Sequence, residues 1–99
     1  MLIVSGTMKV EESGIDAMKT AAETMSRETR KERGCITYAF WQNVEDPSEF
    51  RVYEEWQDMD YLKSHAESDH MATYREKLKE IGVIARDINL FEPGPFTKL

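Results

Sequence analysis

The chain has one cysteine, three prolines, five glycines and no surplus of basic residues among its 99 positions. A lone thiol, Cys35, cannot close an internal disulfide, which excludes a disulfide-stapled scaffold and cysteine-based zinc or iron–sulfur centres within one chain. No apolar run approaches the roughly 18 residues that cross a bilayer, and the start lacks a basic stretch leading into an apolar core. The expectation is a cytoplasmic protein with no membrane partner. Thirteen basic residues face 19 acidic ones for a net charge of −6, and the excess is even: 6 to 9 over residues 1–49 and 7 to 10 over residues 50–99. Without a basic cluster to neutralise phosphates, nucleic acid is not an expected partner. What remains, 40% apolar and 32% charged, is the composition of a folded protein, enough for a single domain over residues 1–99.

Hydrophobic periodicity orders the elements. Leu2, Val4, Met8 and Val10 alternate with Ile3, Ser5, Thr7 and Lys9, which predicts a first strand. Gly6 falls in the inward series and marks either a local bulge or a close approach to the backbone. Ser13, followed by Asp16, reads as the cap of a helix carrying Ile15, Met18, Ala22, Met25 and Thr29 on one face and ending at Gly34. Cys35 to Gln42 alternate in two sets: Cys35, Thr37, Ala39 and Trp41 on one face, Ile36, Tyr38, Phe40 and Gln42 on the other. A turn holding Asn43, Asp46, Pro47 and Ser48 leads to a third strand, Phe50 to Trp56. Asp58 opens a second helical region with Tyr61, Leu62 and His65 on one face, and Glu67-Ser68-Asp69 is a point where the helix can be re-capped. Met71, Tyr74, Leu78 and Ile81 continue to Gly82, and a fourth strand of Ile84, Arg86, Ile88 and Leu90 stops before Pro93.

The order β-α-β-β-α-β predicts a ferredoxin-like α+β fold, a four-stranded antiparallel sheet with its helices on one face. Both faces of the central hairpin carry large apolar groups, so both sides of the sheet should be covered. The helices suffice for one side, and a second copy of the chain is the expected cover for the other.

Placed on this order, Glu32-Arg33-Gly34-Cys35, Tyr53-Glu54-Glu55-Trp56, His65 and Asp69-His70-Met71 stand out. They resemble the antibiotic biosynthesis monooxygenase family, whose pattern reads E-x-G-C before the second strand, E-x-W closing the third and H-x-x-x-x-H in the second helical region. The resemblance covers essentially the whole chain and is closest to the quinol monooxygenase-like members. It implies a dimeric α+β barrel that oxidises a small hydroxylated aromatic or quinol with molecular oxygen and without a cofactor. Other relatives isomerise a phosphorylated sugar, for which Arg51 and Arg86 are the strand-borne anchors, or degrade haem. The haem-degrading pattern departs from this chain, which has Ser5, Gly6 and Thr7 where that group has a first-strand Asn, and no Trp in the second helical region.

Oxygenating a phenol without a metal or flavin needs a base for the phenolic proton and a dry aromatic cleft for the ring. His65 and His70 are the only side chains of a type whose unperturbed pKa lies near neutrality, and either suits the base. Glu54 is the expected orienting partner, and Tyr38, Tyr53, Trp56 and Tyr74 the expected walls. Each has a structural alternative: capping for His70, core packing for His65 and Trp56, a salt bridge for Glu54, and a small buried hydrophobe for Cys35. No metal is expected. Five residues along one continuous helix leave two histidines about 140° apart, so they meet only if the helix breaks between them. A hydroxyketone isomerase or a non-catalytic module binding a small molecule would use the same pocket.

Overall fold

A computed structural model describes all residues, Met1–Leu99. Strands β1 (Leu2–Val10), β2 (Cys35–Asn43), β3 (Asp46–Trp56) and β4 (Val83–Phe91) alternate with helices α1 (Ile15–Thr29), α2 (Met59–Ala66) and α3 (Asp69–Ile81). The sheet order β2-β3-β1-β4 is antiparallel throughout, which is the ferredoxin-like arrangement. The core lies between sheet and helices: Met8, Val10, Phe50, Val52 and Trp56 from the strands meet Met18, Ala22, Met25, Tyr74 and Ile81 from α1 and α3. No helix is long and apolar enough to cross a membrane.

Several local expectations are corrected. Ser13 does not cap α1; a short 3-10 turn, Glu12–Gly14, feeds the helix and no side chain caps it. Gly34 does not end the helix, which stops at Thr29. Gly34 instead turns the chain into β2 at φ +83°, where a Cβ would overlap the Tyr61 ring, so both backbone and space demand glycine. The bulge proposed at Gly6 lies elsewhere, at Lys9/Val10. Gly6 serves the other purpose, since a Cβ there would overlap the Asp87 carbonyl of β4. The third strand begins at Asp46 rather than Phe50, because Asn43 pairs directly with Asp46. Pro47 is tolerated there because the β1 pairing ends at Lys9–Glu49 and asks no N–H of it.

A second bulge matters for the site. Cys35 pairs with Trp56, and Thr37 with Glu55, so Ile36 is the extra residue and Cys35 falls on the helix side with Tyr38. The face assigned to Cys35 by strict alternation is thus wrong by one residue.

Two capping predictions hold. Asp58 accepts hydrogen bonds from the Asp60 and Tyr61 amides, and Ser68 Oγ accepts from Met71 N while donating to the His65 carbonyl. Ser68 therefore separates α2 from α3 and turns the second helix onto a new axis. Gly82, at φ +87°, closes α3 with its N–H on the Leu78 carbonyl.

Candidate functional site

The break at Ser68 decides the histidines. His65 is in the last turn of α2 and His70 in the first turn of α3, and both rings converge on Glu32, from the α1–β2 connection. His65 Nδ1 lies 2.6 Å and His70 Nε2 3.0 Å from one oxygen, Glu32 Oε2. Glu32, not Glu54, is the histidines' carboxylate partner. The E-x-G-C segment contains Glu32, but composition and periodicity give no reason to aim it at a residue 33 positions away.

An ionised carboxylate only accepts, so the network assigns a proton to His65 Nδ1 and leaves Nε2 with its lone pair. The His65 side chain is 4% exposed and that of His70 23%. Burial pulls the His65 pKa down, and Glu32 opposes that with its hydrogen bond and charge. The His65 ring packs against Trp56, with centroids 4.8 Å apart, and against Tyr38 at 5.6 Å.

His65 also lines a cavity of about 160 Å³ between the sheet and α2–α3, walled by Val4, Tyr38, Phe40, Val52, Met71 and Tyr74 and floored by Gly6. His70 is absent from its lining and faces the groove between α1 and α3 instead. The expected walls divide. Tyr38 and Tyr74 line the cavity. Trp56 is fully buried beneath it and donates its Nε1 proton to Glu54 Oε1 at 2.9 Å. Tyr53 is excluded by alternation: it points to the opposite sheet face, where its hydroxyl donates to Glu55 Oε2.

Three further groups give the cavity its polarity. Glu54 reaches it from β3, and burial raises its carboxyl to about 7 against the partly offsetting Trp56 hydrogen bond. The Tyr74 hydroxyl is buried without a hydrogen-bond partner, a costly condition that a ligand oxygen would relieve. Arg86, on β4, borders the same space, whereas Arg51 lies on the other face and donates to Ser5 Oγ. Cys35, raised to about 11 by burial, is a poor nucleophile at neutral pH.

Glu32, His65 and His70 also present three metal-type ligand atoms within 4.8 Å of one another. Ligands bonded at 2.0–2.1 Å to one tetrahedral ion stand roughly 3.3 Å apart. The 2.6 and 3.0 Å separations here are those of atoms sharing protons, and the triad fits hydrogen bonding better than an ion.

The model of the antibiotic biosynthesis monooxygenase family matches residues 1–77, a span that includes the triad. The chain belongs to that family. A Deinococcus radiodurans protein of the same family description superposes with a TM-score of 0.93 at 21% identity, covering 100% of this chain and 98% of that one. A conserved protein from Methanosarcina mazei Go1 gives 0.86 at 28% identity over 94% and 92%. The first of these likenesses, under 25% identical, bears on the fold alone. Among curated proteins, the chain is 22% identical over 91 residues to the uncharacterized Synechocystis protein sll1783 and spans 62% of its length. The antibiotic biosynthesis monooxygenase domain thus accounts for the fold and the family.

Proposed function

We propose that this domain is a monooxygenase of the quinol-oxidising type, acting on a single hydroxylated aromatic ring with molecular oxygen and needing no cofactor. One observation carries the reading: a buried imidazole, anchored at Nδ1 by Glu32 and with no protein hydrogen bond at Nε2, lines an aromatic-walled cavity. A cavity of about 150 Å³ takes one benzene ring, so about 160 Å³ suits a monocyclic quinol and not a three-ring anthrone. His65 Nε2 takes the hydroxyl proton, and the electron-rich anion adds oxygen at a ring carbon. Loss of water then leaves the oxidised ring, with one oxygen atom retained and the other released as water. The Tyr74 hydroxyl binds the ring's second oxygen and relieves its own lack of a partner.

A second copy of the chain completes this reading. Trp41, on the outer face of β2, and Phe91, on that of β4, are about half exposed, and a homodimer would cover them.

Oxygen uptake with a panel of monocyclic quinols tests the proposal. His65→Ala is expected to lower kcat by about 10²–10⁴-fold, the usual worth of a positioned base. Uptake that survives this change refutes the assignment. The isomerase alternative keeps one observation in its favour: Glu54, at about 7, gives the cavity a second group able to exchange protons, as enolisation of a hydroxyketone requires. Turnover of a hydroxyketone without oxygen consumption would favour it.

A further inference from the structure

We infer that Glu32 and His70 form a proton exit that connects the cavity-facing His65 to solvent in the α1–α3 groove. The inference rests on His65 acting as the base. An imidazole has two nitrogens, and here they serve different spaces: Nε2 makes no hydrogen bond within the protein, and Nδ1 is committed to Glu32. A proton taken from a bound ring finds no relay among the cavity's other polar groups: Glu54 bonds the Trp56 indole, the Tyr74 hydroxyl has no partner, and a guanidinium such as that of Arg86 has no acceptor. The one polar path out leads from Nδ1 to Glu32 Oε2, which His70 Nε2 meets from the other side. His70 is the member of the triad that lines the outer groove, beside Glu28 and Thr73.

The transfer balances without any other reactant. His65 Nε2 gains the substrate proton and Nδ1 releases its own to Glu32 Oε2. His70, exchanging tautomers through water, presents Nε2 as an acceptor, takes the proton from Glu32 and gives one up from Nδ1 to solvent. His65 is left neutral with its proton on Nε2; when water is lost, Nε2 gives that proton to the departing oxygen and a passage in reverse returns one to Nδ1, which restores the Nδ1–H tautomer. A carboxylate facing a single buried imidazolium would hold the proton as an ion pair. A second imidazole on the same oxygen gives it a way onward.

The path is testable without turnover. In protein with ¹⁵N-labelled histidine, exchange of the His65 Nδ1 proton with water is measured in the wild type, His70→Gln and His70→Ala. We expect exchange to slow at least tenfold in both variants, and imidazole added to His70→Ala to restore it. An unchanged or faster rate overturns the proton exit, since mere loosening of the structure would speed exchange. With a quinol that supports oxygen uptake, His70→Ala should lower kcat about tenfold with KM within twofold, and imidazole should recover kcat. A fall that imidazole does not recover also overturns it and leaves His70 as a support for Glu32. If His65→Ala leaves oxygen uptake intact while exchange still depends on His70, the proton path stands and the monooxygenase reading fails.

Discussion

Replacing Glu54 by Gln should make the protein more stable at alkaline pH, and the size follows from the burial of this carboxyl. Glu54 is 7% exposed, and its hydrogen-bonding partner in the protein is the Trp56 indole, which is too little to offset the lost hydration of a charge. Its pKa stands at about 7 against an ordinary value of 4.5. The native state thus holds the proton more tightly than the unfolded chain does. The stability linked to that proton is fully present below pH 4.5 and is lost as pH rises through about 7. At 1.36 kcal/mol per pKa unit, the loss is about 3 kcal/mol. Gln keeps the shape and the acceptor for Trp56 but carries no charge at any pH. The difference in unfolding free energy between Glu54→Gln and wild type, from urea titrations, should be level below pH 4.5, climb between 4.5 and 7, and remain about 3 kcal/mol higher above that. His65 and the surface groups titrate in both proteins and cancel to first order. A difference that stays level from pH 4 to 9 would refute the reasoning, since it would mean the carboxyl ionises as though in water.

Tyr74→Phe removes a buried hydroxyl that has no partner. It should raise stability by about 1 kcal/mol in urea unfolding while weakening binding of a quinol ring, measured by calorimetry. Gly34→Ala forces a side chain into positive φ and into the Tyr61 ring. At least 1–3 kcal/mol should be lost, seen as a fall in Tm of several degrees at 4–8 °C per kcal/mol. Ser68→Ala removes the cap that separates α2 from α3. A loss of about 1 kcal/mol is expected, together with a shift in the His70 imidazole resonances as α3 loses its fixed start.

Much of the fold was legible because it rests on local patterns. Period-two alternation in β1 and β4, the Met18–Ala22–Met25 stripe of α1, and the Asp58, Ser68 and Gly82 signals each act over a few residues. The misreadings share one cause. Gly34 resembles a helix stop and strict alternation sets Cys35 on the face of Thr37 rather than that of Tyr38, because nothing local reveals that Tyr61 lies over the first or that Ile36 is bulged beside the second. Tyr53 suits a wall by its chemistry alone, whereas alternation sends it to the face opposite Glu54.

The candidate site divides in the same way. Sequence by itself determined the element order, the two histidines as candidate bases by residue type, and the possible helix break at Glu67-Ser68-Asp69, since composition, periodicity and caps are read within a few residues of the chain. Only the tertiary structure decided that Glu32 joins His65 to His70 and that His65 faces the cavity while His70 faces the groove. Those relations depend on packing the α1–β2 connection against two helices more than 30 residues further along. Whether a carboxylate ends beside an imidazole 33 residues away is set by how the sheet and helices pack, which no local pattern of residues records.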